Sequence, residues 1–165
     1  MWTQDRSQDT DADVDSDAEP TFPARSLPRA RVLVVEDDSR FRSLVSKRLD
    51  RDGYDVYEAA NGAEAIVMLD FVGQLGWPTD DIELVILDNH MPGSSGIEIL
   101  RHLRTAHHST PALLMTAFPD AALIDEAGRW GAAVLIKPFS LDHLCDATID
   151  AILSNRGAAS IGDAP

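Results

Sequence analysis

The sequence predicts an α/β fold in which a five-stranded parallel sheet lies between two layers of helices. Two observations support this prediction. The run Arg31–Val35 is dominated by Val and Leu, which is typical of a strand buried on both faces. Four further apolar runs follow, and stretches with helical spacing separate them. Because repeated βα units favour parallel strands with helices on both faces, this alternation predicts a doubly wound architecture.

The first half of the chain is predicted to supply two strands and two helices. After the first strand, Asp38 is a candidate N-cap for a helix whose apolar residues recur at helical spacing, namely Phe41, Leu44, Val45 and Leu49. Gly53 is predicted to end this helix, and residues 54–59 form a second, weaker strand. Asn61 caps the next helix, with Glu64 three residues later.

The second half repeats the pattern after a long connection, residues 72–81, which we expect to be a surface loop. Residues 82–87 form the third predicted strand, and Ser95 and Glu98 form a capping-box pair for the following helix. The remaining elements are two strands at 111–115 and 132–136 and two helices at 120–129 and 140–153. The last helix is predicted to bury Leu141, Leu144, Cys145, Ile149 and Ile152.

These elements favour a flavodoxin-like sheet in the order 2-1-3-4-5, because right-handed crossovers leave few topologies for five parallel strands. We expect residues 30–155 to form this domain. Residues 1–29 combine a row of acidic residues with several prolines, which predicts a disordered acidic arm. Residues 156–165 are mostly small or polar, and we expect a short flexible tail.

Composition limits the classes of partner. The formal net charge of −14 argues against direct nucleic-acid binding, which depends on clustered Lys and Arg. No apolar run approaches the roughly 18 residues of a membrane span, so we expect no membrane insertion. The single cysteine, Cys145, has no partner for an internal disulfide, and the cytoplasm is therefore the expected compartment.

Chemically active residues follow four of the five predicted strands. They are Glu36 and Asp37 after the first strand, Asp88 after the third, Thr116 after the fourth and Lys137 after the fifth. The carboxyl ends of parallel strands meet at one edge of the sheet, and ligands of open α/β sheets bind outside that edge. Each residue alone has an ordinary structural explanation, such as a helix cap or a strand residue. Their coincidence at four strand ends predicts a functional site.

This set of side chains has a specific chemical capacity. Clustered carboxylates repel one another and need a cation to coexist as anions. Oxygen ligands without Cys or His favour Mg²⁺, or Mn²⁺, over zinc. An Asp carboxylate can attack phosphorus to form an acyl phosphate, while a Thr hydroxyl and a Lys ammonium bind the remaining phosphoryl oxygens. The set is therefore complete for accepting a phosphoryl group.

Four segments resemble the signature motifs of response-regulator receiver domains. They are Val34–Asp38 (VVEDD), Leu87–Gly93 (LDNHMPG), Met115–Ala117 (MTA) and Lys137–Phe139 (KPF). The resemblance covers residues 31–155 and implies a stand-alone, chemotaxis-type response regulator in two-component or phosphorelay signal transduction. It also implies a cis peptide bond before Pro138, which an X-Pro bond adopts at low cost.

The resemblance also implies a role for each site residue. Asp88 would accept the phosphoryl group from a sensor histidine kinase or a histidine phosphotransfer protein, and the domain would be a switch and not a turnover enzyme. The other implied roles are metal binding by Glu36, Asp37, Asp88 and the backbone carbonyl of His90, and phosphoryl binding by Thr116 and Lys137. A downstream effector protein, or a second copy of the chain, would dock on the fourth helix, fifth strand and fifth helix.

Three positions bear on how such a switch would work. Val134 stands where the family usually has a Tyr or Phe whose ring moves on phosphorylation. His90 and Phe118 lie two residues after Asp88 and Thr116, where side chains of this family tune the loss of the phosphoryl group. We expect bulk at both positions to hinder attack by water.

Two other functions are compatible with these residues. One is a binding module that works without phosphorylation, which Val134 makes more credible. The other is a phosphatase with an Asp nucleophile. Such enzymes place the nucleophile after the first strand in an Asp-x-Asp pair, whereas here Asp88 follows the third strand.

Overall fold

The computed structural model describes residues 29–71 and 82–159, in which strands and helices alternate. The strands are β1 (Arg31–Val35), β2 (Asp55–Ala59), β3 (Leu84–Asp88), β4 (Ala112–Thr116) and β5 (Ala132–Ile136). The helices are α1 (Ser39–Arg51), α2 (Gly62–Phe71), α3 (Gly96–Thr105), α4 (Ala121–Arg129) and α5 (Leu141–Ala159). All five strands pair in parallel in the order β2-β1-β3-β4-β5, which confirms the predicted flavodoxin-like sheet.

Two apolar clusters cover the two faces of the sheet. Alternate side chains of β1 enter opposite clusters, so that Leu33 packs on one face and Val34 on the other. Helices α2, α3 and α4 supply the first cluster, with residues such as Leu69 and Leu100, while α1 and α5 supply the second. The sheet is therefore buried on both faces, as the apolar strand sequences predict.

Three helix N-termini are capped at the predicted positions. Asp38 accepts hydrogen bonds from two backbone N–H groups in the first turn of α1. Asn61 accepts one from the N–H of Glu64 at 2.9 Å. Ser95 and Glu98 form the predicted capping box at the start of α3. Each cap satisfies N–H groups that have no partner within the helix.

The last helix is longer than its prediction. α5 contains 19 residues and ends at Ala159, beyond the predicted end at Leu153. The residues after Asn155 include Arg and two Ala, which are strong helix formers, and one interior Gly costs only about 1 kcal/mol. No helix in the described part of the chain is both long and apolar enough to cross a membrane. The rest of the predicted tail, residues 160–165, lies outside the described residues, as do residues 1–28 of the predicted arm and the connection 72–81.

The buried face of α5 also differs in one position from its prediction. Leu144, Thr148 and Ile152 follow one another at intervals of four and are buried. Ile149 is 45% exposed, so its predicted burial is wrong. Ile149 lies one turn beyond Cys145 on the same flank of α5, so the contact that buries Cys145 does not extend as far along the helix as Ile149. Cys145 is buried as predicted, and its thiol donates to Asp52 Oδ2 at 2.7 Å.

Candidate functional site

The parallel sheet brings the predicted site residues to one edge. Glu36 follows the last residue of β1, and β3 ends at Asp88, which lies opposite Met115 of β4. Thr116 is therefore one residue further towards the same edge. On the far side of β4, the N–H of Lys137 donates to the carbonyl oxygen of Thr116 at 2.7 Å, which continues the ladder beyond β5.

A single ammonium group joins the two buried carboxylates of this edge. Lys137 Nζ donates to Glu36 Oε2 at 2.8 Å and to Asp88 Oδ1 at 3.0 Å. Glu36 is only 3% exposed and Asp88 only 4%. Burying carboxylates at these positions is costly without a paired cation, and Lys137 supplies one.

Asp37 completes an all-oxygen acidic cluster. One carboxylate oxygen each from Glu36, Asp37 and Asp88 lies within 4.8 Å of the others, and Asp37 is exposed while the other two are buried. Three acidic side chains face one ammonium, so negative charge at the site is incompletely compensated. Such a set suits a hard divalent cation such as Mg²⁺, with Asp37 on the side open to solvent.

Burial and pairing shift two pKa values at this edge. Burial raises the pKa of Glu36 and outweighs the opposing effect of its hydrogen bond from Lys137. For Lys137, burial acts to lower the pKa, but the hydrogen bonds to Glu36 and Asp88 together raise it. The lysine therefore stays a cation at neutral pH and is available to bind an anion.

The loop after β3 donates a hydrogen bond to the second carboxylate oxygen of Asp88. The N–H of His90 donates to Asp88 Oδ2 at 3.0 Å, and the side chain of the buried Asn89 accepts from the N–H of Ile97 at 3.2 Å. Gly96 allows this approach, because a Cβ there would lie 2.6 Å from the carbonyl oxygen of Asp88. The first turn of α3 is thereby fixed against the end of β3.

The loop after β4 carries the other predicted residues. Thr116 is fully buried, and its Oγ1 accepts a hydrogen bond from the N–H of Phe118 at 3.2 Å. The Phe118 side chain is 73% exposed, and its ring meets that of His90 edge to face at a centroid distance of 5.3 Å.

Val134, at the position of the missing aromatic ring, packs partly buried against the cluster formed by α2, α3 and α4. The expected cis peptide bond between Lys137 and Pro138 is present.

Two residues in the first turn of α1 reach the site and were not predicted to do so. The Phe41 ring lies beneath the ammonium, with its centroid 4.4 Å from Lys137 Nζ. Arg42 Nη1 donates to the backbone carbonyl of Glu36 at 2.6 Å, while its Nε donates to Glu58 at 3.1 Å. The only sequence feature that points to these two residues is their place in the first helical turn after the acidic pair. Helical spacing predicts Phe41 only as a residue of the apolar face of the helix.

Comparisons with known proteins agree with this geometry. Residues 32–149 match the family described as response regulator receiver domain. Sporulation initiation phosphotransferase F of Bacillus subtilis is 33% identical over 118 residues, which cover 71% of this chain and 89% of that protein. The transcriptional regulatory protein TcrA of Mycobacterium tuberculosis is 35% identical over 128 residues, or 74% of this chain, but the chain spans only 47% of its length.

Solved structures give the same result. The structure of the chemotaxis protein CheY4 of Vibrio cholerae superimposes with a TM-score of 0.64 at 29% identity, covering 74% of this chain and 98% of that one. Receiver domains are switch modules of two-component systems that use Mg²⁺ at an acidic pocket and interact with histidine kinases, phosphotransferases and effectors. With most of its described residues matched in sequence and in fold, the chain belongs to the response regulator receiver domain family.

Proposed function

We propose that this chain is a phosphoryl-accepting switch in which Asp88 is the phosphorylated residue. The observation that carries the proposal is the convergence of three carboxylates, those of Glu36, Asp37 and Asp88, beside the ammonium of Lys137. A carboxylate at the end of a central strand, with a cation and metal-binding oxygens around it, is equipped to form an acyl phosphate. The donor is a phosphohistidine of a sensor histidine kinase or a histidine phosphotransfer protein.

The transfer exchanges one bond at phosphorus for another. An oxygen of Asp88 forms a bond to phosphorus as the P–N bond of the donor breaks, and the donor imidazole keeps that electron pair and takes up a proton. The residues that would hold Mg²⁺ are Glu36, Asp37, Asp88 and the backbone carbonyl of His90. When bound, the ion offsets charge on the phosphoryl oxygens.

Thr116 and Lys137 bind the transferred group. Lys137 gives up one carboxylate contact and donates to a phosphoryl oxygen instead. The Thr116 hydroxyl has one donor and two acceptor positions. It can therefore keep the hydrogen bond from Phe118 N–H while it donates its own hydrogen to the phosphoryl group.

The signal leaves the site through the loop after β4. Thr116 and Phe118 are joined by a hydrogen bond, so movement of Thr116 towards the phosphoryl group shifts the loop that precedes α4. A switch from mostly inactive to mostly active needs about 5.5 kcal/mol of differential stabilisation. The face formed by α4, β5 and α5 presents Ile124 and Ile136, which are 44% and 48% exposed, to an effector protein. A homodimer is the second candidate for this face.

One labelling experiment tests the proposal. The protein is incubated with Mg²⁺ and acetyl phosphate, and its intact mass is followed. We expect addition of a single phosphoryl group, abolished by chelation of Mg²⁺ and in Asp88→Asn. Asp120→Asn is the matched control, because it makes the same change at the exposed N-cap of α4, where Asn caps equally well.

The other outcomes identify the alternatives. Repeated turnover of a phosphomonoester by the wild type, lost in Asp88→Asn, would overturn the switch in favour of a phosphatase. No labelling under any condition would overturn it in favour of a binding module that works without phosphorylation, the function to which Val134 lends support.

A further inference from the structure

We infer that Phe41 is a positioning residue for the proposed phosphoryl transfer, because its ring holds the ammonium of Lys137 over the acidic cluster. The inference rests on the proposed function of the site. Phe41 would touch neither the phosphoryl group nor a metal ion, and it would act through Lys137. The observation that supports the inference is that the Phe41 ring contacts the same ammonium as Glu36 and Asp88.

The ring and the carboxylates contact the same ammonium. Glu36 and Asp88 accept hydrogen bonds from Nζ at 2.8 and 3.0 Å, and the Phe41 centroid lies 4.4 Å from Nζ. A cation within about 6 Å of a ring centroid is attracted by the negative face of the ring, most strongly where water is excluded. The Lys137 side chain is only 23% exposed, so this attraction acts in a partly desolvated place.

Phe41 is itself held by two elements. The N–H of Phe41 donates to the N-cap side chain of Asp38 at 3.0 Å, which fixes the residue in the first turn of α1. Its ring packs on that of Phe139, with centroids 5.9 Å apart and planes tilted by 60°. Phe139 follows Lys137 by two residues, so the ring contact ties α1 to the segment that carries the ammonium.

The apolar surroundings of the ammonium strengthen the effect. A recess beside it is lined by Phe41, Ala117, Lys137, Pro138 and Phe139. These neighbours offer the ammonium few polar groups other than the carboxylates. Electrostatic attraction is less screened in such a place than in open water.

The ring matters most during the transfer. The ammonium must loosen a contact with Asp88 and form one with a phosphoryl oxygen, and a free lysine chain has several rotatable bonds through which to leave the site. Attraction to a ring face has no single bonding direction, so it persists while the hydrogen-bond partners change. Phe41 therefore keeps Lys137 at the site when its carboxylate partners are exchanged.

Labelling kinetics test this role with a small donor, which removes any contribution from docking of a kinase. Phe41→Leu keeps an apolar side chain but loses the ring, and we expect the rate constant for labelling by acetyl phosphate to fall by about three- to ten-fold. Phe41→Tyr keeps the ring face and is expected to restore the wild-type rate. Leu44→Ala is the control on the same helix, at a side chain that is 49% exposed and outside the site.

A double-mutant cycle separates positioning from general packing. In a Lys137→Gln background the ammonium is absent, so Phe41→Leu should cause no further loss of rate. If Phe41→Leu slows labelling equally in both backgrounds, the ring does not act through Lys137 and the inference is overturned.

Nuclear magnetic resonance supplies a readout that does not depend on labelling. The chain contains two lysines, Lys47 and Lys137, so selective ¹³C-lysine labelling gives two side-chain signals. Ring current should shift the Lys137 methylene protons away from those of Lys47 in wild type and in Phe41→Tyr. The shift should become smaller in Phe41→Leu, in which the ring of Phe139 remains.

The outcomes for the two proposals are distinct. Absence of wild-type labelling would overturn the proposed function. Normal wild-type labelling with an unchanged rate in Phe41→Leu, or a Lys137 signal that Phe41→Leu does not move, would overturn only the role of Phe41.

Discussion

The rings of His90 and Phe118 meet at the edge of the sheet that carries the acidic cluster. His90 belongs to the loop after β3 and Phe118 to the loop after β4, and their ring centroids lie 5.3 Å apart. The backbone of each residue is tied to a site side chain, His90 N–H to Asp88 and Phe118 N–H to Thr116. We therefore expect the ring pair to hinder the approach of water to an acyl phosphate on Asp88.

We expect removal of either ring to speed the loss of the phosphoryl group. His90→Ala and Phe118→Ala each open the approach to phosphorus, and a barrier lowered by roughly 1 kcal/mol corresponds to about a five-fold faster decay. The measurement is the intact mass of labelled protein over time, after removal of the donor at constant Mg²⁺.

The control for this prediction is His102→Ala, which removes an exposed ring from α3. Because His102 lies on the helix beyond the site, its variant should decay at the wild-type rate. Unchanged decay in both His90→Ala and Phe118→Ala would mean that the ring pair does not shield the phosphoryl group.

At the scale of single residues, the sequence predicts the site residues that lie at the end of a strand. Asp88, Thr116 and Lys137 meet at one edge because parallel strands end there. Phe41 and Arg42 could not be predicted in the same way. Their contacts depend on how far α1 is rotated and how closely it packs on the sheet, which are tertiary quantities that no local pattern encodes.

At the scale of the elements, the position of α3 depends on a close approach to β3. Gly96 is the first residue of α3, and a Cβ there would meet both the carbonyl oxygen of Asp88 and the side chain of Leu114. The close contact brings the helix start, and the loop that donates to Asp88, into one rigid unit. A side chain at position 96 must push these groups apart.

Two glycine variants test this contact. Gly96→Ala places a Cβ 2.6 Å from the Asp88 carbonyl oxygen, and we expect a loss of about 1–3 kcal/mol in the free energy of unfolding. Gly128→Ala, inside α4, meets nothing within 4 Å and should stabilise the protein by roughly 0.5–1 kcal/mol, because Ala is the better helix former. Urea unfolding measures both, and a Gly96→Ala variant as stable as Gly128→Ala would contradict the close contact.

Element boundaries were predicted best where a local chemical signal marks them. Capping side chains mark the starts of α1, α2 and α3, and β5 has the same bounds in the sequence prediction and in the structure. The end of α5 carries no such signal, and the helix continues to Ala159. The exposure of Ile149 is likewise set by how far along α5 the contact on the flank of Cys145 extends, which helical spacing alone does not define.

At the scale of the whole molecule, the strand order follows from a general rule of chain handedness. Right-handed crossovers send α1 and α5 to one face of the sheet and α2, α3 and α4 to the other. This topology sets β1 and β3 side by side at the centre of the sheet, which joins the acidic pair to Asp88. The cost of this arrangement is mutual repulsion among three carboxylates, of which only those of Glu36 and Asp88 pair with the ammonium of Lys137.

We expect that repulsion to couple the stability of the whole domain to Mg²⁺. A ligand that binds only the folded state at a concentration 100 times its Kd stabilises a protein by about 2.7 kcal/mol. We therefore expect Mg²⁺ to raise the free energy of unfolding of the wild type. Asp37→Asn should be more stable than wild type without Mg²⁺, because a repelling charge is removed, and less stable with it, because a ligand is lost.

Asp37→Asn should be the more stable protein without Mg²⁺ and the less stable one with it. This reversal distinguishes ion binding from a general effect of charge. NaCl at the same ionic strength screens the repulsion without supplying a divalent cation, so it should leave the order of stability of the two proteins unchanged. Asp125→Asn makes the same substitution on an exposed position of α4, remote from the cluster, and should respond to Mg²⁺ as the wild type does. If Mg²⁺ stabilises wild type and Asp37→Asn equally in thermal or urea unfolding, Asp37 is not a ligand, and the acidic cluster binds the ion through its buried members alone.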